Sequence, residues 1–510
     1  MTRSSRWIAQ FPFAAALVLG LAACGGESLV STPAAPVPRI ETTECSFTLP
    51  PAPYSDGVQC GDLIVPENRQ VANGRTIRLA FAVFKATGAN PVSDPWVYVG
   101  GGPGWPALEY VSYWVPNWAA PYQEKRNLVY FDQRGAGRSR PSLDCPETRA
   151  EFVPRLAENL TVEEEATLAL EDVRTCHDRL VSEGIDLTAY TSAASALDLH
   201  DLMTTLGYRQ WNVLGDGYGS RVVLTAMRDA AEGIRSVFLM SNHPVQWQFP
   251  AYWSASFQRS LDTMFANCAT DAACNAAYPD LEEKFFQLVN QLNAEPVTVH
   301  PVNAGTGKQF TVVVTGDRLL SGTQVAFYDN TLIPGIPATV MATLEGDYDL
   351  LTQGVANLFP FVKADGVYFS VLCAEAMPFV TPEVVEEANK NVRAEIKHLG
   401  VTSVTQFTLD VCKFWGSKAP AAIENQPVSS DIPALLGGGE YDPIAPPDNA
   451  KLAGKTLSQH YFYEFRGFGV GVWDPCMVTL YSSFLDDPLH EPDGSCVDDL
   501  PPLEFIVEAK

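Results

Sequence analysis

Apolar and polar positions along this chain follow two periods, and the changes between them mark out its elements. Thr76 to Lys85 reads as a strand, alternating at its start and apolar further on. Trp96-Val97-Tyr98-Val99 and Leu128-Val129-Tyr130-Phe131 are short unbroken apolar runs, as expected of strands covered on both faces. The first runs into Gly100-Gly101-Gly102-Pro103-Gly104 and the second into Asp132-Gln133-Arg134-Gly135, both rich in turn formers. Thr161 with Glu164 makes a capping box. Behind it Val162, Ala166, Ala169, Val173, Cys176 and Leu180 recur at steps of three and four, which predicts a helix. Leu199, Leu202, Met203 and Leu206 predict a second. Trp211 to Leu214 then reads as a strand, Ser220 to Asp229 as a helix, and Val237 to Met240 as another strand.

This alternation, beginning near Ser46, predicts an α/β protein with a mostly parallel central sheet and helices on both faces. Over residues 243–427 the rhythm changes: apolar positions keep helical spacing, aromatics are plentiful, and the strand-turn-helix units stop. That segment reads as an inserted, mainly helical cap. The sheet resumes at Pro433 to Leu436 and Tyr461 to Phe465, and a helix from Pro475 to Leu485 closes the pattern. The core is therefore expected over 45–242 and 428–510.

Composition narrows the function classes. The 510 residues are 46% hydrophobic and 18% charged, the balance of a globular protein. A net charge of -26 argues against nucleic-acid binding, which rewards Lys and Arg. The acidity has two readings, a solvated acidic surface or an acidic pocket for cationic substrates.

The first 24 residues read as an export signal: Arg3 and Arg6 precede an apolar stretch, Phe11 to Leu21, too short for a comfortable span. The segment ends in Leu21-Ala22-Ala23-Cys24-Gly25, which resembles a bacterial lipobox and implies a lipid anchor on Cys24; an ordinary signal peptide is the alternative. Residues 25–44 read as a flexible tether. Because Gly25 is not aspartate, the resemblance to the Gram-negative sorting rule implies the outer membrane.

Ten further cysteines suggest disulfides. Proximity favours Cys45 with Cys60, Cys145 with Cys176, Cys268 with Cys274, Cys373 with Cys412, and Cys476 with Cys496. No CxxC pair supports a zinc site, and neither metal nor cofactor is expected.

The turn Leu214-Gly215-Asp216-Gly217-Tyr218-Gly219-Ser220-Arg221 lies between a predicted strand and a predicted helix. It has the form of Gly-x-Ser-x-Gly, a strained turn that presents a nucleophile, but with Gly217 at the centre. Gly101 to Gly104, Asp132 to Ser139, this turn, and Gly439-Glu440-Tyr441-Asp442-Pro443 follow one another as in prolyl aminopeptidases and tripeptidyl-aminopeptidase-like hydrolases. The resemblance continues through Tyr190 to Ala193 and Tyr368 to Glu375, and covers nearly all of residues 45–500. It implies an α/β-hydrolase fold. In that family Ser, Asp and His release N-terminal residues or short peptides, or cleave related esters and amides.

Carried onto this chain, the resemblance places Gly217 where the nucleophilic serine would stand and Asp442 at the acid position. Val470, in Gly467-Phe468-Gly469-Val470-Gly471, takes the place of the histidine. Glycine cannot attack a carbonyl and valine cannot accept a proton. The oxyanion site falls to the backbone of Gly101, Gly102 and Tyr218, although the family's first loop residue, often His, is Gly100. Neighbours do not replace the nucleophile well: centring the turn on Asp216 would flank it with Leu214 and Tyr218, and Ser220 would have Tyr218 two before it. His460 and His490 read as surface or packing residues. Arg134 is expected to pair with a carboxylate under the site. Glu375 has two readings, a carboxylate for a ligand's α-amino group or one arm of a salt bridge to a cap arginine or lysine. The expected protein is a scaffold that binds without cleaving, with a peptide, a small amide or ester, or another envelope protein as its partner. An atypical hydrolase and a structural envelope protein with a filled pocket are the alternatives.

Overall fold

A computed structural model of the chain describes residues 37–303, 307–357, 363–418 and 420–507. The export signal, Cys24 and the tether as far as residue 36 lie outside the described residues. The strands are β1 (Arg39–Thr43), β2 (Gln59–Pro66), β3 (Thr76–Phe84), β4 (Trp96–Val99), β5 (Leu128–Phe131), β6 (Trp211–Asp216) and β7 (Ile234–Met240). After them come a short hairpin of β8 (Val297–Val299) and β9 (Val312–Val314), then β10 (Ala434–Gly439) and β11 (His460–Phe465). Nine strands form one sheet in the order β1-β2-β3-β5-β4-β6-β7-β10-β11. The pairings β1/β2, β2/β3 and β3/β5 are antiparallel, and every pairing from β5 to β11 is parallel. This is the expected α/β-hydrolase architecture.

The strands β4 and β5 are buried on both faces, which is why their sequences carry no polar interruption. The period of two sorts its side chains into two cores. Val97, Val99, Val129, Phe131 and Val213 pack with the helices Val162–Ser182, Ser192–Thr205 and Tyr218–Asp229. Trp96, Tyr98, Leu128, Tyr130 and Leu214 pack with the helix Pro475–Asp486. The capping box is formed: Thr161 Oγ1 accepts from the Glu164 amide at 3.2 Å, and the Glu164 carboxylate accepts from the Thr161 amide at 2.9 Å. Of the predicted apolar stripe behind it, Val162, Val173, Cys176 and Leu180 are buried.

One boundary needs correction. Residues 39–43, read as part of the tether, form β1 along β2. As the outermost strand, β1 is hydrogen-bonded on one side and mostly open to solvent, so it needs little apolar sequence; Ile40 alone of its residues packs on the core.

Between β7 and β10 the described chain is helical apart from the β8/β9 hairpin. The helix Phe249–Thr270 anchors a core of Phe257, Leu261, Phe265, Phe285, Phe286 and Phe327, which Tyr441 joins from the β10 side. The described residues form one compact unit. Cysteines pair as Cys45–Cys60, Cys145–Cys176, Cys268–Cys274, Cys373–Cys412 and Cys476–Cys496, the set that proximity favours. Five disulfides fit an oxidising, exported setting. Among the described residues, no helix is long and apolar enough to cross a membrane.

Candidate active site

At the end of β6 the backbone turns sharply into the helix Tyr218–Asp229, and Gly217 takes φ 55° and ψ -123° at that corner. Such a conformation is sparsely populated and costs an ordinary residue about 1–3 kcal/mol. The flanking positions are forced to be glycine by contact. A Cβ on Gly219 would lie 2.0 Å from the Val99 carbonyl oxygen, and one on Gly215 would lie 2.8 Å from both the Gly219 carbonyl oxygen and Val223 Cγ2. Gly217 differs: a Cβ there would meet only Gly101 Cα, at 3.8 Å. The elbow is fully built, and the place for its side chain is open.

The glycine loop after β4 faces this corner. A Cβ on Gly101 would sit 3.7 Å from the Tyr218 nitrogen, and as the first helical residue Tyr218 has no intrahelical acceptor for its amide. Gly102 is exposed and takes φ 108°. Residues 132–134 hold the loop from below. Gln133 donates to the Gly100 carbonyl at 2.7 Å, and the buried Asp132 accepts from the amides of Leu108 at 3.0 Å and Arg138 at 2.7 Å. Arg134 forms a buried, two-pronged pair with Asp198 at 2.7 and 2.8 Å, the structural pairing expected of it.

Asp442 is fully buried just beyond β10. Its Oδ1 accepts from the amides of Ile444 at 2.9 Å and Ala445 at 2.8 Å, while Oδ2 is out of solvent and meets no hydrogen-bond partner of good geometry among the described residues. In a Ser-His-Asp site the spare oxygen of the acid receives the imidazole N–H. Val470 and Gly471 lie partly exposed in the loop after β11. The Gly471 amide donates to Ser241 Oγ at 2.9 Å, and Ser241 in turn lies against the Asp442 carboxylate.

Sequence reading missed the company kept by Asp216. Its side chain lies under the elbow, where Oδ2 accepts from the Tyr98 hydroxyl at 3.4 Å and Oδ1 is out of solvent and unpaired among the described residues. A Cβ on Gly471 would come within 3.9 Å of that Oδ1 and within 3.0 Å of Trp473 Nε1. Burial, and then the charge of Asp442, push the Asp216 carboxyl up to about 7; burial pushes Asp442 to about 6. Ser241 and Tyr98 complete this cluster, and nothing in Ser241-Asn242-His243-Pro244 marks it locally.

Glu375 lies in a π-helical turn, Leu372–Ala376. Its oxygens are occupied by the Ser192 amide at 2.5 Å, the Ser192 hydroxyl at 2.6 Å and Arg221 Nε at 3.0 Å. The salt bridge foreseen for it exists, but its partner belongs to the elbow helix rather than the cap. Three imidazoles have partners of their own. His460 Nδ1 lies 2.7 Å from the Leu457 carbonyl, His490 pairs with Asp487, and His243 packs against Trp247 and Phe249, its pKa lowered by burial to about 3. Ser220 Oγ donates to the Gly217 carbonyl and accepts from the His243 amide. Two cavities, of about 560 Å³ and about 340 Å³, are lined by neither residue 217, 442 nor 470; Glu375 borders the smaller.

Comparison with known proteins gives distant relatives. Serine protease Hip1 of Mycobacterium tuberculosis is 23% identical over 466 residues, 86% of each chain. The putative hydrolase YuaR of Escherichia coli is 22% identical over 285 residues, 51% of this chain and 54% of that protein. Among solved structures, proline iminopeptidase of Mycobacterium smegmatis matches at a TM-score of 0.34 and 17% identity, over 84% of this chain and 93% of its own. A sequence profile described as alpha/beta hydrolase fold matches residues 95–469, three quarters of the chain, and the protein belongs to that family.

Proposed function

We propose that this protein is an envelope-anchored lipoprotein of the aminopeptidase-like branch of its family, a pseudoenzyme that binds a peptide or a small amide or ester without cleaving it. One observation carries the reading: the elbow keeps its strained geometry and the space for a side chain, yet Gly217 fills neither role of a nucleophile nor of its support. The unpaired Oδ2 of Asp442, with valine at the base position, points the same way. Loss of either serine or histidine leaves only the weak residual catalysis of an oxyanion site. The anchor rests on the lipobox-like Leu21 to Gly25, and the outer membrane on Gly25.

A second reading has one observation in its favour. Asp216 and Asp442, with carboxyls near 7 and 6, form a buried acid pair of the kind that can share a proton and activate water. Purified protein offered aminoacyl and tripeptidyl naphthylamides and short acyl esters separates the two. We expect ligand-induced thermal stabilisation without turnover. Turnover that disappears in Asp216→Asn would replace the binding reading with an atypical hydrolase.

A further inference from the structure

We infer that the cavity of about 560 Å³ between the helix Val162–Ser182 and the cap is a binding site for one uncharged, apolar molecule, such as a fatty alcohol of about a dozen to twenty carbons. It lies apart from the elbow: residues 100–104, 217, 442 and 470 take no part in its lining. The inference goes beyond the proposed function and stands without it.

One wall is the apolar stripe that the sequence announces. Val162, Ala166, Ala169 and Val173 share a helix face, and the two alanines stay partly exposed because they look into the cavity. Their side chains end at a methyl, so the helix does not reach across to what stands beyond it. The cap supplies the other wall: Val312 and Val314 of β9, Val325 of the helix Gly316–Ala326, and Leu399 and Phe407 on either side of a π-helical turn, Val401–Gln406. Single π-helical turns are frequent at functional sites. Phe152 and Phe310 also line the space and are only half-buried. Concave, mainly apolar space of this size is the usual form of a small-molecule site. A cavity of about 150 Å³ with such a lining takes one benzene, so about 560 Å³ admits a guest of about twenty carbons at most.

The charged groups at the cavity already have partners, which sets the charge of the guest. Arg155 turns both Nη atoms to the Asp172 carboxylate. Arg318 turns Nε to Glu165 at 2.8 Å, and its two Nη atoms to Glu165 and to the carbonyls of Leu156, Val313 and Arg155. Arg318 therefore has no donor left for an anionic head group. Asp365, whose Oδ2 accepts from the Thr148 hydroxyl at 2.7 Å, brings the described lining to three carboxylates against two guanidiniums. A carboxylate or phosphate on the guest would meet that excess of negative charge. A cation would find Glu165 and Asp172 already neutralised. Either charge would also lose its hydration against apolar side chains, whereas an uncharged chain gains by leaving water.

The test titrates the full chain with N-phenyl-1-naphthylamine, an uncharged dye that brightens in apolar surroundings. Dodecan-1-ol, dodecanoate and dodecyltrimethylammonium then compete with it, each below its micelle concentration. One saturable dye site is expected, with dodecan-1-ol binding about tenfold or more tighter than either charged chain. Shortening the alcohol towards octan-1-ol is expected to cost about fourfold in affinity for each methylene removed. Ala166→Phe with Ala169→Phe places two rings, about 300 Å³ by the benzene measure, in the cavity and is expected to weaken dye and dodecan-1-ol binding about tenfold or more. Ser321→Phe fills the cavity from the cap and serves if the double variant lacks a cooperative thermal transition. No saturable dye binding, preference for a charged chain, affinity independent of alcohol length, or binding unchanged in every folded filling variant overturns the inference.

Discussion

Burial weakens several acids among the described residues, three of them strongly: Asp216, pushed up to about 7, and Asp132 and Asp442, each to about 6, from an ordinary 3.8. The folded chain therefore holds these protons more tightly than the unfolded chain. Their contribution to stability is complete below the ordinary value of 3.8 and is lost as pH rises through about 6 to about 7. Each tenfold change in an acid constant corresponds to about 1.4 kcal/mol, so the loss from Asp216 is on the order of a few kcal/mol. The thermal midpoint is expected to fall from about pH 5 to about pH 8, and Asp216→Asn to flatten that fall. A midpoint that rises over the same range, or an Asn variant with the wild-type slope, would contradict the burial of an unpaired acid under the elbow. Tyr98 flanks this chemistry from β4, Ser241 from the bend just after β7, and Arg259 approaches from the helix Phe249–Thr270. None of the three could be chosen from sequence, because their meeting with residues 216 and 442 is made by the assembled sheet and cap and not by local spacing.

The strand-turn-helix unit around Gly217 gives a sharper test at the scale of an element. Gly219→Ala drives a methyl to 2.0 Å from the Val99 carbonyl, against backbone that cannot yield, and is expected to destabilise by more than about 3 kcal/mol. Gly217→Ala meets open space and bears only the strain of its φ, about 1–3 kcal/mol. Urea unfolding of both variants checks the order, and the reverse order would mean that the turn is not the elbow described. Thr161→Ala is expected to cost about 1 kcal/mol by removing the cap of the helix Val162–Ser182. These elements were legible because local chemistry fixes them. Trp96–Val99 and Leu128–Phe131 are apolar on both faces, and Thr161 with Glu164 announces a helix start. The edge strand Arg39–Thr43 was not, since its pairing with β2 satisfies its backbone without an apolar pattern. The hairpin β8/β9 has three-residue strands, too short for periodicity to register amid helices.

For the molecule as a whole, the five disulfides stay local: Cys45–Cys60 at the sheet edge, Cys145–Cys176 onto the helix Val162–Ser182, Cys268–Cys274 and Cys373–Cys412 within the cap, and Cys476–Cys496 in the C-terminal segment. Alkylation of the denatured, unreduced chain is expected to spare all ten of these cysteines, and reduction to lower the thermal midpoint. Modification of any of the ten without reductant would break the pairing. The proposed function requires that a complete hydrolase framework surround two missing side chains. The double variant Gly217→Ser with Val470→His supplies both at once, and an activated-serine probe such as a fluorophosphonate reads the result. We predict that the double variant alone is labelled and hydrolyses a tripeptidyl naphthylamide, while the wild type and both single variants stay silent. Hydrolysis by the wild type, or a correctly folded double variant that neither labels nor cleaves, would contradict it.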